Sequence, residues 1–288
     1  MSLPSWLKVR APNMDKLAEM DSTLRKGSLN TVCESAICPN LGECFSRKTA
    51  TFLIMGNICT RNCRFCAVKK GDVMELDSEE PLRLAEAVSQ LELRYVVITS
   101  VTRDDLDDGG ASHFLACVKA IKKVSPETLI EVLIPDFWGS KDILLTIIGA
   151  KPSVVNHNIE TVSRLYPLVR SEANYQRSLN VLSTLKQCGA SIITKSGLML
   201  GLGEKKSEVI KTMQDLRQAN CDLLTIGQYL SPSNNHMPVS RYYTPEEFNY
   251  FKEVGMNLGF KYVASAPLVR SSYHAWESFK AAEELTIF

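Results

Sequence analysis

Thr51-Phe52-Leu53-Ile54-Met55-Gly56, followed by Cys59-Thr60-Arg61-Asn62-Cys63-Arg64-Phe65-Cys66, is the stretch from which the rest of the chain is read. The first six residues are an apolar, β-branched run closed by glycine, the pattern of a buried strand. The next eight hold three cysteines, separated by three residues and then by two. Thiolates this close converge on one metal centre from a single loop. Three is the informative number, because a structural zinc takes four ligands and a simple ferredoxin-type cluster takes four thiolates. Three thiolates on a cubane leave one iron open.

Outward from that stretch, the chain reads as alternating strand and helix. Apolar runs recur at Thr51–Met55, Tyr95–Thr99, Leu129–Ile134, Val154–Asn158, Ile192–Met199 and Leu223–Gln228. Helical patterns lie between them, at Pro81–Leu91, Ala111–Val124, Ser140–Ile148, Asn174–Cys188 and Ser207–Ala219. Gly189 sits where a C′ glycine belongs, and Thr244-Pro245-Glu246-Glu247 opens a further helix to about Leu258. Such repeats call for a parallel sheet with right-handed crossovers. No Gly-x-Gly-x-x-Gly turn follows the first strand, which favours a barrel over a doubly wound sheet. Polar residues follow several different strands, as they do at the catalytic end of barrels.

The expected fold is therefore α/β, a partial (β/α)6 TIM-type barrel with N-terminal and C-terminal extensions covering its open mouth. Residues 1–50 form the N-terminal extension, 51–245 the barrel, and 246–288 a C-terminal helix and tail. The lead-in carries a short helix from Met14 to Leu24, stopped by Gly27, and then a second triad, Cys33-x4-Cys38-x5-Cys44.

Composition narrows the class. The 288 residues are 45% hydrophobic and 23% charged with a net charge of +1, which gives no bulk attraction for nucleic acid or a membrane surface. No apolar run reaches the roughly 20 residues of a membrane span, and the first residues have no secretory h-region. A cytoplasmic location is expected. Six of the nine cysteines lie between residues 33 and 66, which in a reducing compartment reads as metal ligation. Cys117 and Cys188 fall inside helical patterns and Cys221 just before a strand, where cysteine is a small core residue.

Cys59-x3-Cys63-x2-Cys66, with Phe65 before the third cysteine, resembles the signature of the radical S-adenosylmethionine (SAM) superfamily. The resemblance implies a [4Fe–4S] cluster on the three thiolates, with the amino and carboxylate groups of SAM on the open iron. One electron then cleaves SAM to methionine and a 5′-deoxyadenosyl radical. The upstream triad is similar to that of the lipoyl synthase family. So are Trp6-Leu7-Lys8-Val9-Arg10, Thr99-Ser100-Val101-Thr102-Arg103-Asp104-Asp105-Leu106, Asn156-His157-Asn158-Ile159-Glu160-Thr161 and Arg270-Ser271-Ser272-Tyr273-His274-Ala275. These motifs span essentially the whole chain.

That likeness implies insertion of two sulfur atoms, at C6 and C8, into an octanoyl group on a lysine of a lipoyl carrier domain, either an E2 subunit or a glycine-cleavage H protein. Two SAM are consumed per product. It implies a second [4Fe–4S] cluster on Cys33, Cys38 and Cys44 as the sulfur donor, with a serine of the Arg-Ser-Ser-Tyr motif as fourth ligand. That serine maps to Ser272, with Ser271 the open alternative.

For SAM, the likeness points to Phe65, Ser100, Arg103, Asn158, Glu160, Arg170, Met199 and Gly201. Asn158 and Glu160 are placed for ribose hydroxyls, and Arg170 for the carboxylate. Ser100 and Arg103 face the methionine end, and Ser196–Glu204 faces adenine. Read alone, Arg103-Asp104-Asp105 serves equally as an ion pair, and Ser196–Glu204 as a buried strand ending in a glycine turn. His157, His236 and His274 read as hydrogen-bonded structural residues. Arg47, Lys48, Arg61, Arg64, Lys69 and Lys70 crowd the triads, where cations would favour a reduced cluster and receive an acidic donor such as flavodoxin or ferredoxin. A cluster-assembly carrier is a further expected partner.

Other chemistries are weighed on the same residues. A methylthiotransferase is expected to add an RNA- or protein-binding domain, and biotin synthase lacks the first triad. An electron carrier needs no six-strand barrel.

Overall fold

The computed structural model describes residues 3–8, 22–35, 40, 43–44 and 49–284. By contacts the chain forms two compact units, one of Arg10–Arg61 with Ala67–Val155, the other of Met1–Val9, Asn62–Cys66 and Asn156–Phe288.

In the first unit, β1 (Asn30–Thr31) runs antiparallel to β2 (Thr49–Ile54). The short β3 (Ile58–Cys59) and β4 (Lys69–Lys70) pair in parallel at the base of the cysteine loop. β5 (Tyr95–Ser100) lies parallel to β2, and β6 (Leu129–Leu133) parallel to β5. β2, β5 and β6 are buried along most of their length and rich in β-branched residues, as suits parallel strands covered on both faces. The helices Glu80–Gln90 and Ala111–Val124 turn Leu84, Val88, Phe114, Val118 and Ile121 inward. The division between the units falls inside β7 (Val154–Asn156).

The second unit carries β8 (Ile193–Leu200), β9 (Leu223–Gln228) and β10 (Tyr262–Ser265), all parallel. Its core joins Leu198, Leu200, Leu224, Ile226 and Val263 to Val209, Met213, Phe248 and Phe251 from the covering helices. The helix Tyr175–Cys188 starts where the Asn174 side chain accepts the Arg177 N–H. Thr244 and Glu247 form a reciprocal capping box at the head of Pro245–Asn257. The fold is α/β with a mostly parallel sheet, consistent with a partial TIM-type barrel.

Three details differ from the sequence expectation. Strand ends move by one or two residues, because side-chain pattern marks burial and not ladder bonds. The segment after residue 245 supplies another parallel strand, β10, besides a helix and tail; it is only four residues long and gives little periodicity. Gly189 is itself the helix cap, with φ −139°, and adopts no left-handed C′ conformation. The helix expected from Met14 to Leu24 falls mostly outside the described residues; residues 22–26 are helical and Gly27 turns. Arg47, Lys48 and Cys38 lie outside them, as does the side chain of Cys33.

Candidate metal and cofactor site

β2 leaves the sheet through Met55, a non-glycine residue at φ 65°. The Met55 N–H donates to the Glu80 carboxylate at 2.8 Å, and the same oxygen lies 2.7 Å from Nε2 of His113. This buried pair fixes where the cysteine loop begins. Cys59 follows, and its sulfur accepts the N–H of Thr102 at 3.3 Å and of Arg61 at 3.5 Å. Thr60 is stapled to the same turn. Its N–H and hydroxyl both donate to the Thr102 carbonyl, and its hydroxyl accepts the Asp104 N–H.

Arg61 is the anchor of this half of the loop. Its guanidinium is 6% exposed, grips Asp104 with two bonds of 2.7 and 2.9 Å, and reaches Asp136 at 2.8 Å. Burial alone would lower its pKa, but hydrogen bonds to Asp104 and then Asp136 drive it further up. The Arg61 charge is thus neutralised locally and is not free to act on a cluster, contrary to the expectation from sequence. Asp136 also accepts the N–H of Trp138, in a turn where Phe137 and Trp138 have positive φ.

The second half of the loop belongs to the other unit. Arg64 donates its N–H to Val169 and accepts that of Met237, each at 2.9 Å. Cys66 donates its N–H to the Cys63 carbonyl, and the Cys66 carbonyl lies 3.1 Å from Nε2 of His236. Phe65 packs on the second unit's core, while the Arg64 side chain is exposed. Cys59, Cys63 and Cys66 are half-buried thiols that form no disulfide.

Around β8 the second unit gathers several of the residues expected at SAM. Asn158 donates through Nδ2 to Glu160 at 3.1 Å and to the Ser271 hydroxyl at 3.3 Å. Its Oδ1 is buried without a hydrogen-bond partner. Gly197 lies against it: a Cβ there would stand 2.6 Å from Oδ1. Glu160 sits at φ 64° and is bonded through its backbone to Gly197 and Met199. Burial raises its carboxyl pKa, against the opposing pull of Arg170 and the Asn158 amide. Arg170 donates to the Asn158 carbonyl at 2.9 Å and lies over the Tyr166 ring. Gly201, at φ 107°, donates its N–H to Glu204, as does Leu202, so the glycine turn is closed by a carboxylate.

Residues 53–216 match the radical SAM superfamily. A lipoyl synthase of Caldanaerobacter subterraneus subsp. tengcongensis is 59% identical over 272 residues, covering 94% of this chain and 95% of the relative. One of Aquifex aeolicus is 56% identical over 266 residues, covering 92% of this chain and 96% of the relative. The chain belongs to the lipoyl synthase family. Among solved structures, the FeFe-hydrogenase maturase HydG from Carboxydothermus hydrogenoformans aligns with a TM-score of 0.61 at 15% identity, over 93% of this chain and 69% of that one. Methylornithine synthase (PylB) aligns with 0.52 at 14% identity, over 96% and 90%. At such identity the likeness speaks for the fold alone.

As a lipoyl synthase family member and radical SAM enzyme, the chain uses a [4Fe–4S] cluster and SAM in lipoate biosynthesis, and its substrate is an octanoylated protein. Its residues fit these groups. The loop offers three half-buried thiols outside any disulfide, one of them receiving two N–H bonds. Ser100 Oγ, like Asn158 Oδ1, is buried and without a hydrogen-bond partner. Among the described residues no three His, Cys, Asp or Glu side chains are arranged around one metal ion.

Other expected residues have local partners. Arg103, 3% exposed, is paired with Asp105 at 2.7 Å. Met199 is partly buried on the second core, and Cys44 is a half-buried thiol outside any disulfide. Ser272 and Tyr273 lie half-buried in the turn before the helix Ala275–Glu284. Cys117 and Cys221 are buried, and burial pushes both thiols well above their ordinary pKa. His157 bonds Ser178, and His236 bonds Ser233 besides Cys66. Sequence reading missed Glu80, His113, Asp136 and Thr102. A lone buried acid at a helix start carries no motif, and Thr102 acts through its backbone. No described helix is long and apolar enough to cross a membrane.

Proposed function

We propose that this enzyme inserts two sulfur atoms, at C6 and C8, into an octanoyl chain amide-linked to a lysine of a lipoyl carrier domain. An E2 subunit or a glycine-cleavage H protein is the carrier. Cys59, Cys63 and Cys66 hold the SAM-binding cluster. Cys33, Cys38, Cys44 and Ser272 hold a second [4Fe–4S] cluster, the source of the sulfur. Together with SAM, the first cluster supplies a one-electron route to C–H bonds that no acid or base side chain can break. Each of the two C–H bonds requires its own SAM, hence two per product.

The chain's own residues position and exclude. Thr102 and Arg61 donate N–H groups to the Cys59 sulfur. Asn158 and Glu160 receive the ribose hydroxyls, and the unpartnered Oδ1 of Asn158 is an acceptor in want of a donor. Ser100 and Arg103 face the methionine end, and Phe65, Met199 and Gly201 face the nucleoside. Arg170 braces Asn158 and opposes the charge of Glu160, and its guanidinium is assigned to SAM's carboxylate. Ser272 gives the second cluster a hard oxygen ligand, a weaker fit than thiolate on an iron that must be released. A flavodoxin or ferredoxin supplies electrons in the cytoplasm, and a cluster carrier rebuilds the donor.

The observation that carries this reading is the presence of two separate cysteine triads, 33-38-44 and 59-63-66, in one family member. The test is a peptide carrying octanoyl-lysine, given to anaerobically reconstituted enzyme with SAM and reductant. Lipoyl-lysine should form with about two 5′-deoxyadenosine per product, one per C–H bond. One 5′-deoxyadenosine per fully converted product would contradict the mechanism.

A further inference from the structure

We propose that Ser271 is a positioning residue for the cofactor: its hydroxyl holds the Asn158 side chain and so ties the C-terminal tail to the SAM pocket. This rests on the reading of Asn158 as a SAM contact and of Ser272 as a cluster ligand. It gives the two adjacent serines different tasks.

The geometry around Asn158 is specific. An amide NH2 has two protons to donate, and here one reaches Glu160 and the other Ser271. The backbone carbonyl of Asn158 is held separately by Arg170. Gly197 leaves room for Oδ1, and any side chain there would push the amide away. The amide torsion of asparagine is intrinsically broad. With only Glu160 to hold it, the group would swing; with Ser271 as second acceptor, its orientation is set, and Oδ1 is left as the group available to a ligand donor.

Ser271 in turn is seated by strand β9. Gln228 donates its N–H to the Pro267 carbonyl at 3.2 Å. The Val269 carbonyl packs so close to Gly227 that a Cβ there would overlap it. Tyr273 donates its N–H to Arg270 at 3.0 Å, closing the turn that presents both serines. A serine serving only that turn would have no side-chain bond to a residue 113 positions earlier. The same short turn thus offers one hydroxyl to the SAM pocket and the next to the second cluster.

The test uses the full chain, anaerobically reconstituted, without reductant or octanoyl substrate, so that binding and not turnover is read. The SAM dissociation constant is measured by equilibrium dialysis, and iron is counted on the same samples. Ser271→Ala should weaken SAM binding about twofold to tenfold, the range of one neutral hydrogen bond, at unchanged iron. Ser271→Thr, which keeps a hydroxyl, should restore it. In an Asn158→Ala background, Ser271→Ala should add nothing, because the two act as one unit. If Asn158→Ala weakens binding and Ser271→Ala does not, or if the two effects simply add, the positioning role is refuted while the pocket stands. If neither variant changes SAM binding, the pocket assignment itself fails. If Ser271→Ala loses iron, Ser271 is the ligand, and both the division of tasks and the Ser272 assignment are overturned.

Discussion

Replacing Arg61 by methionine removes a guanidinium while keeping an unbranched side chain that still fills the space. Asp136, fully buried, loses the cation 2.8 Å away. Asp104 loses two bonds but is 31% exposed and can be hydrated, so its share is small. Breaking a buried pair by removing one partner costs about 3–5 kcal/mol. The Trp138 N–H still bonds Asp136, so the lower end, about 3 kcal/mol, is expected. With a urea m-value of about 3 kcal/mol/M for a chain of this size, the midpoint of the cofactor-free protein should fall by about 1 M. Arg61→Lys should recover little, because a point charge cannot reproduce the fork. Arg61→Met with Asp136→Leu should recover much of the loss, since an apolar replacement of both partners is often neutral. The same variants, made with Cys33, Cys38 and Cys44 changed to Ala, should lose iron from the remaining triad in the order of their destabilisation. A midpoint within 0.2 M of wild type for Arg61→Met, roughly 0.6 kcal/mol by the same m-value, together with full iron loading would refute the anchoring role.

Gly197→Ala places a methyl group 2.6 Å from Asn158 Oδ1 and 3.1 Å from Thr225 Oγ1, so it should weaken SAM binding more than Ser271→Ala, as read by dialysis. Glu160→Gln should stabilise the cofactor-free chain at neutral pH. A carboxyl whose folded pKa is raised contributes stability below its unfolded pKa of about 4.3 and loses it as pH rises through the folded value. The advantage of the variant in thermal melts should therefore vanish near pH 4 and grow above it. Cys117→Ala and Cys221→Ala should each leave about eight iron per chain, the content of two clusters, since buried thiols pushed above their ordinary pKa offer no thiolate. Changing Cys59, Cys63 and Cys66 together to Ala should leave about four iron and abolish SAM cleavage, whereas changing Cys33, Cys38 and Cys44 should leave about four and preserve it.

Much of the fold is legible because its strands are continuous apolar runs and its helices have conventional starts. Leu223–Gln228 and Ala111–Val124 coincide with the expected elements to the residue. β10 escaped because four residues carry too little pattern. The thiols of the loop are legible because chemistry demands cysteine at fixed spacing. What holds the loop is not, for two reasons. Thr102, Val169 and Met237 act through backbone atoms that any residue supplies. Glu80 and Asp136 are ordinary acids whose meaning lies in what they touch, 25 and 75 residues away in sequence. Arg61 was legible as a charge near the triad but not as a neutralised one, since its partners arrive from two other loops.

That neutralisation changes what the surroundings can do to the cluster. An unpaired buried cation beside Cys59 would act through a low dielectric and strongly favour a reduced, more anionic centre. Arg61 instead faces two carboxylates. Of the other basic residues expected around the triads, the described ones, Arg64, Lys69 and Lys70, are exposed to solvent. Charges of that kind act through water and over a Debye length of about 10 Å at 0.1 M salt. Their effect on potential should be modest and should shrink as salt is added, whereas backbone N–H bonds to sulfur, such as those at Cys59, are insensitive to salt. The reduction potential of the SAM cluster should accordingly be governed by the 59–66 backbone and the turn at Thr102. If the proposed acidic electron donor docks there, the exposed cations should bear mainly on how fast it arrives. Neutralising Lys69 and Lys70 together should slow reduction by such a donor at low salt and leave the midpoint potential nearly in place; a large shift in potential with an unchanged rate would reverse that assignment.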